Sequence, residues 1–261
     1  LFRVTTIGVT EGTKRHYDEP PLEEAIFELF VPPAESWSAE QGEKLAKLLP
    51  AYAGKRETLE DLNVFFRLGP GQSVAQGVNP GARRLRLWSQ DQTRAVQLGA
   101  EMCTHNVRKP YGHFEDHLDA MKELFAAYLE VMKPQQLGWV GQRYLNIVKL
   151  PADSSPSAFF QMYPHLPPEL PQAHRPFAVQ VETASFEQGS TVVNLALLEF
   201  TPEAAVYTID IYARSDDTVA LDVDSVVGWQ NRAHASIGKS FELTITDEAR
   251  RLFKEAACPP P

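Results

Sequence analysis

The stretch from Leu85 to Met132 constrains the fold most, because the spacing of its apolar residues changes period once and sharply. Leu85 and Leu87 alternate with Arg84, Arg86 and Trp88, and Ser89-Gln90-Asp91-Gln92 then turns the chain. Val96, Leu98, Ala100 and Met102 alternate again, so the segment predicts a hairpin of two half-buried strands. Beyond Lys109-Pro110 the period lengthens. Leu118, Met121, Phe125, Tyr128 and Met132 fall on one helical stripe, broadened by Leu124 and Leu129, and Pro134 closes it.

The flanking segments extend the pattern. Pro20-Pro21 ends an N-terminal arm, and Ala25, Phe27, Leu29 and Val31 alternate with Glu24, Ile26, Glu28 and Phe30, which predicts a strand stopped by Pro32-Pro33. Ser38 with Gln41 forms a capping box for a helix that stops at Pro50. Leu62–Leu68 is short, apolar and β-prone, and the Gly/Pro-rich segment from Gly69 to Gly81 reads as a long mobile loop. Trp139–Leu150 predicts another strand, Ala158–Tyr163 a short helix, and Pro164–Pro176 a connector. Phe177–Thr183, Val192–Phe200 and Tyr207–Ile211 then give three more strands, the first two joined at Gln188-Gly189-Ser190. Helices are expected over about 224–241 and 247–255, the second capped by Thr246.

Laid end to end, this is strand, helix, three strands, helix, and the same again. The expected class is α+β: two tandem β-α-β-β-β-α units, 20–134 and 135–257, after a flexible arm (1–19) and before a short tail (258–261). Hairpin-linked strands pair antiparallel, and helices segregate to one face. The units are therefore expected to form one curved antiparallel sheet of about eight strands packed by long helices. That element order resembles the saddle of the TATA-binding protein and the helix-grip folds.

Charge and cysteine usage narrow the function classes. The 261-residue chain has a formal net charge of −9, opposite to the basic footprint of a general nucleic-acid binder. The charge is uneven: Arg83–Lys109 carries six basic and two acidic residues, Glu182–Asp224 one basic and nine acidic. Such asymmetry suits two faces with different partners, or one self-complementary contact. Only two cysteines occur, Cys103 and Cys258, which fits a reducing cytoplasm better than a disulfide scaffold. No apolar run approaches the roughly 20 residues of a membrane span. Leu1–Gly12 lacks the basic and apolar regions of a signal peptide.

Several short motifs carry a family resemblance. Pro20-Pro21-Leu22 with Glu24 and Glu28, Asn106-Val107-Arg108-Lys109, Tyr111-Gly112-His113-Phe114-Glu115, Arg143-Tyr144-Leu145-Asn146, and His234 with Phe241 and Thr244 stand in the order and spacing of a pattern. From Pro20 to about Phe253 the chain resembles a sporadically distributed, uncharacterised prokaryotic protein family with no assigned activity. Val107 stands where that family commonly has Trp, and Gly112-His113 where it tends to have Pro-Gly. The resemblance implies a bacterial or archaeal cytoplasmic setting, and its patchy distribution would suit a mobile or defence-linked locus.

No coherent catalytic set emerges. There is no nucleophile elbow and no phosphate-loop spacing. His113 and His117, four apart, lack the further ligands of a zinc site and read as solvent-facing residues of a helical first turn. Cys103 beside Thr104 and His105 reads as packing. Asp210, Asp222 and Asp224 could be imagined around magnesium but lie on an acidic, solvated face. Asn106, Arg108, Lys109, Arg143, Tyr144 and Asn146 could together hold an anion or a partner's carboxylate. The competing structural reading pairs Arg143 with Glu28 or Glu115 across the sheet and has Asn106 cap the strand exit.

The expectation is a non-enzymatic binding protein, without metal or cofactor, that presents a curved sheet and its loops to a protein partner or to a second copy of itself. The alternative is a receptor or enzyme for an anionic small molecule, with its pocket between the long helix and the sheet. Nucleic acid is disfavoured by the acidic total.

Overall fold

A computed structural model describes residues 15–32, 37–67, 75–164, 167, 169, 177–216 and 219–256. Among them the chain forms nine strands and four helices in the order β1 (Leu22–Phe30), α1 (Ala39–Leu48), β2 (Arg56–Arg67), β3 (Ala75–Trp88), β4 (Arg94–Leu98), β5 (Met102–Arg108), α2 (Leu118–Met132), β6 (Trp139–Pro151), β7 (Ala178–Phe186), β8 (Gly189–Phe200), β9 (Ala204–Ser215), α3 (Val223–Thr244) and α4 (Asp247–Leu252). The class is α+β, as expected. All nine strands lie in one antiparallel sheet, ordered β2-β3-β4-β5-β1-β6-β9-β8-β7. No helix among the described residues is long and apolar enough to cross a membrane.

The central strands show why these residues pair as they do. On β1 the alternation predicted from sequence holds: Ala25, Phe27 and Leu29 are fully buried, and their neighbours face the other way. Phe27 pairs with His105 on β5 and Gln142 on β6, so residues 103, 105 and 107 and the even residues of β6 share its face. The described helices pack on this face. Met121, Leu124, Phe125 and Tyr128 of α2 and Val226, Trp229, Ala233 and Ile237 of α3 enter the same core. Ser38 forms the capping box with Gln41, Thr246 caps α4, and Lys133 in the left-handed region closes α2 before Pro134.

Three expectations are corrected. Strand β3 begins at Ala75, inside the segment read as a loop, because its backbone pairs with β2 through Asn79 and Pro80; residues 69–74 lie outside the described set. The alternation from Val96 to Met102 is two strands. Gly99 donates its N–H to the Met102 carbonyl at 2.9 Å, and this turn moves Met102 to the face opposite Leu98. Alternation ran through the turn because it returns the chain at the same spacing. Ala158–Tyr163 is not a helix: the one helical turn there is the 3-10 turn Pro156–Ala158, after which Phe160 bridges to Ile245. The first meander consequently has four strands and the second three, giving nine rather than eight.

The N-terminal arm is tied down where it is described. Tyr17 bridges to Glu255, Asp18 donates to the Lys254 carbonyl, and the Tyr17 ring packs against Phe241 and Phe253. Residues 1–14, and the tail expected at 258–261, lie outside the described residues.

Candidate functional site

The sheet face away from the helices carries a groove of about 510 Å³. Its walls are Glu28 of β1, Trp139 and Arg143 of β6, Asp210, Tyr212 and Arg214 of β9, Ser190, Val192 and Asn194 of β8, and Gln180 and Glu182 of β7. On a flat sheet these five adjacent strands would spread over about 19 Å. Side chains from both outer members nevertheless border this one open groove.

Register builds the site. Asp210, Tyr212 and Arg214 alternate along β9, and Arg143 stands opposite Tyr212 and Gly141 opposite Arg214. Arg143 donates from Nε to Asp210 Oδ1 at 2.8 Å and from Nη2 to Oδ2 at 2.7 Å, a bidentate pair. The pair raises the guanidinium's pKa further, although the Arg143 side chain remains 44 % exposed. Trp139 stacks on Phe30 with ring centres 3.6 Å apart, and the Arg214 guanidinium lies 4.7 Å from the Trp139 ring centre. The Glu28 carboxylate rests over Gly141. A Cβ there would come within 2.6 Å of Glu28 Oε2, 2.8 Å of the Trp139 ring and 3.0 Å of the Tyr212 hydroxyl. Tyr212 donates its hydroxyl to Glu28. Burial pushes the Glu28 carboxyl up to about 6 against the pull of Arg143.

The residues singled out from sequence do not form one site. Asn106 lies on the open face, donates to Glu24 Oε1 at 2.9 Å and accepts from Thr104 at 2.6 Å, so it ties β5 to β1. The Arg108 guanidinium sits 4.5 Å from the centre of the Trp88 ring, which Arg86 also approaches. Lys109 pairs with Glu23. Arg143 alone of the six lines the groove, and its partner is Asp210 rather than the expected Glu28 or Glu115. Tyr144 and Asn146 point to the helix side. Asn146 donates to the Ile209 carbonyl at 2.9 Å. The space between α2 and the sheet is filled by Met121, Leu124, Phe125 and Tyr128, all fully buried.

The helix side instead holds a polar network. The Tyr144 hydroxyl meets the Tyr111 hydroxyl at 2.9 Å, Gln142 Nε2 at 3.1 Å and His234 Nδ1 at 2.8 Å. His117 is buried, contrary to the solvent-facing expectation, with Nε2 2.7 Å from the Tyr111 carbonyl oxygen, while His113 is exposed. His105 is fully buried, and neither ring nitrogen has a hydrogen-bond partner among the described residues. Burial drives its pKa down to about 3 and lowers that of His117, so both rings are neutral. Cys103 is fully buried, and its thiol pKa is raised by burial, which suits packing rather than nucleophilic chemistry. Among the described residues no group of three His, Cys, Asp or Glu could hold a metal. Asp222 caps α3, and Asp210 is held by Arg143.

The sequence reading missed Glu28, Trp139, Tyr212 and Arg214 as one cluster. Their signal was present as alternation on β9 opposite Arg143, but it becomes visible only once the β6–β9 register is known. No protein-family model matches the chain and no curated protein matches it.

Proposed function

We propose that this is a non-enzymatic binding protein whose grooved sheet face receives a segment of a protein partner. One observation carries the reading: charged and aromatic side chains from five strands border one open groove, and no helix residue is among them. Its volume falls within the roughly 300–1,000 Å³ of ligand pockets. The Arg143–Asp210 fork and the Phe30–Trp139–Arg214 stack hold it in shape before anything binds, which lowers the ordering cost of binding. Acidic groups outnumber basic ones along its rim, which argues against nucleic acid.

The two halves of the chain support a paired-unit origin within this reading. In each, the first strand returns to pair with the last of its meander, β1 with β5 and β6 with β9, and a long helix follows. A saddle of the TATA-binding-protein kind would present the same uncovered face. The family resemblance and the sparse cysteines favour a prokaryotic cytoplasm as the setting.

Peptide selection on the immobilised full chain tests the proposal. Enriched peptides should lose binding to Trp139→Ala and Arg214→Ala variants that keep the native melting temperature. Peptides indifferent to both substitutions, or no enrichment at all, would overturn it.

A further inference from the structure

We propose that the segment seated in this groove delivers a cationic group, an ammonium or guanidinium, to the Glu28 carboxylate at its floor. The inference rests on the binding reading above and adds the chemistry of the occupant.

Charge pairing inside the groove motivates it. Three carboxylates, Glu28, Asp210 and Glu182, face two guanidiniums, Arg143 and Arg214. Arg143 and Asp210 satisfy each other through two hydrogen bonds, and Arg214 lies over Trp139. Glu182 accepts from Ser190 at 3.2 Å at the outer strand. Among the described residues Glu28 is left with a neutral hydroxyl donor, Tyr212, and with the more diffuse fields of Arg143 and Arg84.

Position reinforces the charge argument. Gly141 lets the carboxylate settle onto the strand backbone, with the Trp139 ring and the Tyr212 hydroxyl beside it. A lysine or arginine entering from solvent would lay its methylene stem along those aromatic walls and bring its charge to Glu28. An anionic group would meet a carboxylate excess, and a neutral one would leave Glu28 half-desolvated and still short of a counter-charge.

Among the described residues the charged and titratable groups facing Glu28 are Arg143 on β6, Tyr212 and Asp210 on β9, and Arg84 on β3. Of these, Glu28 is the one whose ionisation changes near neutrality, at about 6. Capture of a cation should therefore strengthen as pH rises through that value.

The experiment follows the carboxyl carbon of Glu28 by NMR in the full chain, assigned by its disappearance in Glu28→Gln. The probes are N-acetyl-arginine amide and N-acetyl-lysine amide, with the glutamine and glutamate analogues as neutral and anionic controls. The cationic probes should lower the Glu28 midpoint and bind about tenfold tighter at pH 7.5 than at pH 5. That preference should vanish in Glu28→Gln. Equal or tighter binding of the neutral or anionic analogue would overturn the inference while leaving the groove as a binding site. Failure of all four probes to perturb Glu28, with peptides selected on the groove proving to be acidic or neutral, would overturn it in the same way. If no peptide needs the groove either, both proposals fall.

Discussion

The two faces of the sheet are made from the same strands, yet they treat ionisable groups in opposite ways. Along β6, Gln142, Tyr144 and Asn146 point under the helices, while Arg143 between them points into the groove. Under the helices burial favours the neutral forms of five groups: His105 and His117 are held deprotonated, and Tyr111, Tyr144 and Cys103 are held protonated. In the groove Arg143 and Asp210 share a two-bond fork and Arg214 lies over the Trp139 ring, while burial pushes Glu28 only as far as about 6. One face thus favours neutral forms, and the other displays charge.

The largest expected effect belongs to the covered face. Phe125 is fully buried in the α2–sheet core, and Phe125→Ala should lower stability by about 3–5 kcal/mol in chemical denaturation. A loss no greater than that of a surface substitution would erase the contrast, because it would mean that α2 does not seal this face.

Acid should separate the faces more finely. His105 is depressed in the fold, so its contribution is complete above about pH 6.5 and is lost as pH falls toward about 3. His117 shifts in the same direction. Glu28 has the reverse sign. Its folded pKa is raised, so its contribution is present below about 4.5 and is lost as pH rises through about 6. Urea unfolding across this range should show stability rising with pH by a few kcal/mol, dominated by the histidines. The slope should flatten in His105→Phe and steepen in Glu28→Gln. A native protein with no such slope would show that His105 is hydrated.

The smallest expected effect lies in the groove. Arg143→Ala breaks a bidentate pair whose arginine is 44 % exposed, so stability should fall by no more than about 1 kcal/mol. Peptide capture by the groove should nevertheless weaken. A large stability loss without a change in capture would make Arg143 a structural residue of the covered-face kind.

How much of this was legible depended on whether a feature is local or needs a partner strand. Strand β1, the Ser38–Gln41 box and helix α2 are written in single-segment periodicity and could be read directly. The turn at Gly99 was hidden because it preserves apparent alternation, and β3 because its Gly- and Pro-rich start is fixed by pairing with β2. The candidate site suffered most. Arg143, Tyr144 and Asn146 are close in sequence and were grouped for that reason, but a strand sends neighbours to opposite faces. The groove residues are gathered from five strands by register, which no single stretch encodes.

One consequence lies in the order in which the chain is made. Strand β1 is the first of the nine to be synthesised, yet it sits between β5 and β6. Its two edges stay bare until Arg108 and then Asn146 have emerged from the ribosome. Until then Ala25, Phe27 and Leu29 form an apolar ribbon with nothing to pair with, the kind of segment that seeks other chains. This topology favours slow, late closure over stepwise maturation from the N-terminus.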